Sequence, residues 1–221
     1  MDRYIRQSKS LPNIVEKTAL VVGCGGLGSH VAEQLVRMGV NVVLVDHDRF
    51  ESSNLHRVSS YVYSDVGGLK APTLYNRLVK ISNGRVGYFA KTFSEFVEAN
   101  YRTNRFDIVM DCTDNMEVRY EIESFCQSHK LPFVYGAVNA KSGMVMLFPH
   151  DGVSFSDFFG RELKTPDDAK LPATRVYPPA VAIVASLQVS EAVKYLNGDN
   201  PSQALYAVNL DTYAIQKQIE F

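Results

Sequence analysis

Residues 18–28 read TALVVGCGGLG, an apolar run that passes directly into Gly23-Cys24-Gly25-Gly26-Leu27-Gly28. The spacing G-x-G-x-x-G is met at Gly23, Gly25 and Gly28, with Gly26 as a further glycine inside it. Thr18 to Gly23 reads as a buried strand and Leu27 to Met38 as an amphipathic helix ended by Gly39, so the glycines sit at a strand-to-helix junction. There they permit a tight turn and close backbone approach, and a phosphate can meet the N–H groups and positive dipole end of the helix. A second apolar strand, Val40 to Asp46, ends in a carboxylate 23 positions after Gly23, where an acid can take ribose hydroxyls. Glycines can serve strand–helix packing alone, but spacing and context together predict a nucleotide site. Which nucleotide stays open: a dinucleotide oxidoreductase and an ATP-using enzyme could both own this loop.

Working outward, strand-like and helix-like stretches alternate. The pattern predicts a helix over Pro72 to Ser82, opened by the proline, a strand over Arg85 to Lys91 and a helix over Phe93 to Tyr101. A fourth strand follows at Phe106 to Asp111, then a helix from Asn115 to His129 and short strands at Pro132 to Gly136 and Gly143 to Phe148. Such alternation predicts an α/β chain with a mainly parallel sheet. His150 to Pro179 breaks the rhythm, and a loop of that length inside one domain is usually functional or disordered rather than a plain connection. A helix to Leu196, apolar nearly all round, is expected to be buried on most sides. Two strands joined by a turn at Asp211-Thr212 end the chain, and residues 1–221 are read as one domain with a crossover loop at 150–179.

Composition narrows the classes. The 221 residues are 46% hydrophobic and 21% charged, with 23 Lys and Arg against 24 Asp and Glu, for a net charge of −1. So even a balance argues against a dedicated nucleic-acid binder. Three scattered cysteines, Cys24, Cys112 and Cys126, supply neither a disulfide framework nor a four-thiolate zinc site, so no zinc is expected. MDRYIRQSKS carries no apolar core of a signal peptide. PPAVAIVASLQV is shorter than the about 20 residues a bilayer span needs. The expectation is a cytoplasmic protein with no membrane contact.

The charged residues favour phosphate chemistry over hydride transfer. After Asp46 the chain reads HDRFESSNLHRV and then reaches Gly67-Gly68-Leu69-Lys70. ATP chemistry needs cations to offset charge developing on phosphorus and pyrophosphate, whereas hydride transfer does not. Asn54 and Arg57 are three apart and point the same way on a helical turn, and Lys70 can reach the same phosphates. Asp111-Cys112-Thr113-Asp114-Asn115 follows the fourth strand at the carboxyl edge, where open α/β sheets bind ligands. A carboxylate there can hold Mg²⁺ through hard oxygen ligands. The competing duty for Asp111 and Asp114 is a helix cap followed by a first-turn acid. Cys24 and Cys112 flank this region; a helix start can activate a thiol, but small buried apolar residues are the plainer reading. The five histidines show no metal-ligand spacing, and Tyr61, Tyr63 and the Phe155, Phe158, Phe159 cluster are read as packing.

Taken in order, Arg3-Tyr4-Ile5-Arg6-Gln7, VVGCGGLG, VDHDRFESSNLHR, the Lys70 segment and DCTDN through Arg119 resemble the HesA/MoeB/ThiF family, prokaryotic relatives of ubiquitin-activating enzymes. The resemblance runs from Arg3 to about Phe148 and resumes in ASLQVSEAVKYL. It implies a Rossmann-like, doubly wound sheet with a late crossover loop and C-terminal antiparallel strands. It also implies adenylation of the C-terminal glycine of a small ubiquitin-like sulfur carrier ending in Gly-Gly, by a homodimer using Mg-ATP. On that analogy Gly23, Gly25, Gly26 and Gly28 form the phosphate loop, Asp46 binds the ribose, and Asp48 belongs to the nucleotide-binding set. Asn54, Arg57 and Lys70 handle phosphates, Asp114 holds magnesium with Asn115 beside it, and Arg6 reaches the neighbouring subunit's triphosphate. A C-terminal carboxylate, with a pKa of about 3.5, needs no general base at neutral pH. The chain departs from the family in having no C-x-x-C pair and no cysteine after Cys126, so it reads as a short form without zinc that hands its adenylate to a separate sulfur or amine donor. Activation of a peptide or tRNA nucleoside carboxylate, an NAD(P)-dependent oxidoreductase and a non-catalytic adaptor are the competing readings.

Overall fold

The computed structural model describes residues 4, 7, 10–82, 85–100, 106–160, 176–199 and 203–221, with the side chain of residue 100 excepted. Arg6 and residues 161–175 of the expected crossover loop therefore lie outside the described residues.

β1 (Thr18–Val22) leads into α1 (Gly26–Met38), followed by β2 (Asn41–Val45), α2 (Lys70–Ser82), β3 (Val86–Phe89) and α3 (Phe93–Asn100). β4 (Ile108–Asp111), α4 (Met116–His129), β5 (Phe133–Asn139), β6 (Ser142–Phe148), α5 (Phe155–Phe159), α6 (Pro178–Asn197), β7 (Ala204–Asn209) and β8 (Ala214–Glu220) complete it. One eight-stranded sheet has the order β3-β2-β1-β4-β5-β6-β7-β8. Its first five strands pair in parallel, and from β5 onward the pairing is antiparallel. The change occurs where β5 and β6 are joined by Ala140 and Lys141 alone, since a two-residue link can only make a hairpin. Ala140 carries the positive φ of 51° that such a turn uses.

The parallel strands are buried on both faces, as near-continuous apolar runs require. Ala19 and Val21 pack with α1, α2 and α6, while Leu20 and Val22 face Phe93, Phe96, Ile122 and Phe125 from α3 and α4. α6 is apolar on most sides because it packs among α1, β5 and β6. Among the described residues no helix is long and apolar enough to cross a membrane.

Among the differences from the sequence reading, three bear on local packing. α2 begins at Lys70, ahead of Pro72; the proline sits in the first turn, where a missing N–H loses no intrahelical bond. β5 extends to Asn139, because its pairing with β6 continues to the turn. Inside the expected loop, α5 forms on the Ser154 cap, whose Oγ accepts from Asp157 N at 3.0 Å. Phe155 is fully buried and packs on the rings of Phe133, Tyr135 and Phe148. Tyr61 likewise stacks on Phe50 at 4.4 Å, but Tyr63, also read as packing, is 77% exposed.

The sheet order reverses between β1 and β4, and the carboxyl ends of these two strands open the crevice where doubly wound sheets bind ligands. Val22 is in register with Asp111 across it.

Candidate active site

The glycine loop divides into packing and open positions. Gly23 has φ +91°, and a Cβ there would stand 2.7 Å from the Cys112 carbonyl oxygen. A Cβ on Gly28 would overlap the carbonyl oxygen of Gly23. These two glycines let β1, α1 and β4 close on one another. At Gly25, the residue before α1, an added Cβ would meet nothing within 4 Å. Gly26 is closed in, since a Cβ there would stand 3.2 Å from Val181 Cγ1 of α6 and 3.5 Å from Cγ and Cδ of Arg57. The open position is therefore Gly25, immediately before the helix start.

Asp46 directly follows β2 and is only 8% exposed. One carboxylate oxygen accepts from Cys24 N at 2.6 Å and the other from Asp48 N at 2.7 Å, so this acid braces the loop. Burial raises its pKa, with Lys70 the strongest opposing influence. Lys70 Nζ donates to Asp48 at 2.8 Å. Burial acts to lower the Lys70 pKa, but Asp46, Asp48 and Asp114 outweigh it and hold the group above its ordinary value. Lys70 thus joins the β2 edge to the β4 edge electrostatically. The Tyr61 hydroxyl, 2.9 Å from Cys24 O and 3.0 Å from Lys70 O, ties the loop to the start of α2. Asp46, His47 and Asp48 have ligand atoms within 4.8 Å of one another, although β2's end reads as no metal motif. The bonds just described already engage both carboxylates.

Arg57 sits on the turn after the 3₁₀ helix Ser52–Asn54, with Arg57 N donating to Asn54 O at 3.1 Å. Its guanidinium donates to Ser53 O at 2.8 Å. Asn54 does not accompany it: its carboxamide oxygen accepts from Glu51 N at 3.2 Å and closes its own short helix. The following segment is bound to α1. Ser29 Oγ accepts from Ser59 N at 2.9 Å, and Glu33 accepts from the hydroxyls of Ser59 and Ser60. Partial burial works against ionised Glu33, but those hydroxyls and Arg37 prevail and lower its pKa.

At the β4 edge the capping expectation is corrected. Neither Asp111 nor Asp114 caps α4; Asn115 does, accepting from Glu117 N at 2.8 Å, and Glu117 is the first-turn acid. Asp111 is fully buried, 3.2 Å from Arg119, with its other oxygen accepting from Thr113 N and Oγ. It is unavailable to a cation. Asp114 is exposed and close enough to act on the charge of Lys70. Arg119, named only within the family pattern, emerges as the partner of Asp111; its position in the first turn of the helix after β4 was the only available signal. Burial pushes both Cys24 and Cys112 thiols well up, so they are inert packing groups.

The ThiF family model matches residues 4–220. A molybdopterin-synthase adenylyltransferase of Escherichia coli is 31% identical over 189 residues, covering 83% of this chain and 74% of that protein. A sulfur carrier protein adenylyltransferase of Thermus thermophilus is 33% identical over 217 residues, covering 90% and 78%. A probable molybdopterin-synthase adenylyltransferase of Gracilaria tenuistipitata is 31% identical over 182 residues; there this chain spans about half of the relative, 81% of the chain matching 51% of that protein. Among solved structures, Escherichia coli MccB with ATP superposes with a TM-score of 0.83 at 19% identity, covering 99% of this chain and 71% of that one, a likeness of fold.

Proposed function

The chain belongs to the ThiF family, and from that premise we propose that it is an ATP-dependent adenylyltransferase. Its substrate is the C-terminal glycine carboxylate of a small ubiquitin-like sulfur carrier, and it works in the cytoplasm as one adenylation domain spanning residues 1–221. The observation that carries this reading is Lys70 bonded to Asp48 just after β2, within electrostatic reach of Asp46 and Asp114, with the Arg57 stem beside Gly26. Cations gathered beside an open helix start suit a triphosphate. The names of the relatives supply the carrier.

In the proposed step a carboxylate oxygen of the carrier attacks the α-phosphorus of ATP. A C–O–P bond forms, the α–β bond breaks, and pyrophosphate leaves with the electron pair. The difficulty is one anion approaching another, so the chain's task is positioning and charge offset. Gly25 admits the phosphates, Asp46 and Asp48 frame the ribose side, and Lys70 and Arg57 neutralise the phosphate chain. Asn54, held in its local cap, can meet phosphate only by releasing Glu51. Exposed Asp114, with Asn115 fixed beside it as the cap, presents hard oxygens that fit Mg²⁺. When bound, Mg²⁺ would offset charge on the departing pyrophosphate. His150 to Pro179 has no cysteine, so the acyl-adenylate is passed to a separate sulfur or amine donor.

ATP–pyrophosphate exchange is the deciding measurement. It should require Mg²⁺ and a carrier ending in Gly-Gly, and calorimetry should find Mg-ATP bound in preference to NAD(H). Tight NAD(H) binding without ATP binding would move the chain to hydride chemistry. The likeness to MccB, crystallised in complex with N-formylated MccA at 18% identity and a TM-score of 0.83, favours a second reading in which another molecule supplies the carboxylate. Exchange without any Gly-Gly carrier would select it.

The proposal includes a homodimer in which Arg6 completes the partner's site, since an arginine fork can bind phosphate oxygens bidentately. Arg6→Ala and Arg57→Ala chains, each nearly inactive, should regain about a quarter of wild-type sites when mixed and exchanged at equal ratio, by two-fold symmetry. No recovery after verified exchange would remove Arg6 from the partner's site.

A further inference from the structure

We infer that Arg119 is a positioning residue, which with Asp111 and Thr113 locks the loop that presents Asp114; the inference rests on the adenylation reading above. Thr113 is held by every polar atom it has. Its N–H and Oγ donate to Asp111 Oδ1 at 3.0 and 2.7 Å, and its carbonyl accepts from Arg119 Nη2 at 2.7 Å. Arg119 Nε lies 3.2 Å from Asp111 Oδ2 as an ion pair without hydrogen-bond geometry, so charge alone closes the ring from the end of β4 to the first turn of α4. The ring is supported from outside. The guanidinium lies over the Tyr135 ring at 4.9 Å, and Gln188 of α6 donates to Asp111 O at 2.7 Å. Gly136 makes room for that glutamine, since a Cβ there would overlap its carboxamide.

On the other side, Asn115 is fixed as the α4 cap by Glu117 N. Asp114 is the one residue between these two anchors and is exposed. The backbone that carries its carboxylate is thus restrained on both sides, while the residue itself is exposed. A buried ion pair is seldom a gain in stability over well-packed apolar groups, because both charges lose water. Its use here is geometric: one guanidinium pairs with a carboxylate, donates to a carbonyl and sits over a ring at once, which a compact ammonium cannot do. Partners that orient a metal-binding carboxylate rather than touch the metal govern affinity for it.

The test compares wild type with Thr113→Val, Arg119→Lys and the paired change Asp111→Asn with Arg119→Met, which leaves no lone buried charge. Calorimetry with Mg-ATP and with ATP in EDTA is run beside exchange activity titrated with Mg²⁺ and thermal melting. Thr113→Val and Arg119→Lys should each weaken Mg-ATP binding and raise half-saturating Mg²⁺ by about tenfold. Affinity for metal-free ATP should stay within about twofold, and activity should recover at high Mg²⁺. Unchanged Mg²⁺ dependence in all variants, or equal loss of both ATP forms in step with the melting temperature, would make Arg119 a structural residue only. If wild type itself binds no ATP or shows no preference for Mg-ATP, the adenylation reading fails, a result distinguishable from wild-type preference left intact in the variants.

Discussion

Alanine at Gly28 is expected to prevent stable folding, whereas alanine at Gly25 is expected to leave the fold intact and remove nucleotide binding. The Cβ at residue 28 would overlap the Gly23 carbonyl oxygen and lie 2.8 Å from its carbon and 3.3 Å from Cys112 Cβ. Two of these neighbours are backbone atoms at the junction of β1 and α1, so relief requires moving the helix off the sheet. Overpacking commonly costs about 1–3 kcal/mol when side chains can adjust. With backbone in the way the loss should exceed about 3 kcal/mol, a large part of the about 5–15 kcal/mol that holds a domain together. Urea unfolding should show a much lower midpoint or no cooperative transition. Gly25 faces open space, so its alanine variant should melt within about 4 °C of wild type. Its methyl group would occupy the space assigned to phosphate, and Mg-ATP affinity should drop at least about tenfold, near 1.4 kcal/mol. Wild-type affinity in Gly25→Ala would place the phosphates elsewhere.

Asp114→Ala should reduce pyrophosphate exchange by about 10³-fold, the scale of removing a group that offsets charge in the reacting state. Stability should change by less than about 0.5 kcal/mol, because the carboxylate is exposed. Lys70→Met makes the contrast. It should abolish exchange and also lower the melting temperature, since Lys70 offsets Asp46 and bonds Asp48. The pH dependence has a definite sign. Asp46 has a folded pKa raised by burial above its ordinary 3.8. Such a group favours the fold below its unfolded value and loses that contribution as pH rises through the folded value. Removing Lys70 lifts the folded value further, so the Lys70→Met penalty should be largest near neutrality and shrink towards acid pH. A constant penalty from pH 4 to 8 would show that Lys70 stabilises by packing alone. Near-wild-type exchange in Asp114→Ala would leave the β4 edge without a metal ligand, since Asp111 is enclosed by Arg119 and Thr113.

The strands, the helices and the glycine junction were legible in the sequence because their signals are local. Val40 to Asp46 is an apolar run ended by an acid, and Gly39 and Gly198 stop helices in left-handed conformations that favour glycine. Asp46 and Lys70 could be singled out by spacing and charge. Spacing could not separate the residues of Asp111-Cys112-Thr113-Asp114-Asn115, where three side chains could each cap a helix or bind a cation. That choice belongs to groups distant in sequence. Arg119 is brought back over the end of β4 by the first turn of α4, Tyr135 comes from β5, and Gln188 from α6, and together they bury Asp111 and leave Asp114 outside. Asn54 and Arg57 show the same division: their spacing was readable, but the closing of Asn54 onto Glu51 and the arrival of the Arg57 stem beside Gly26 depend on how the segment packs on α1. Periodicity and glycine placement act through neighbouring residues and so determine the elements; which carboxylate is buried with a countercharge is decided only when separate elements meet, because burial and ion pairing are properties of the packed chain.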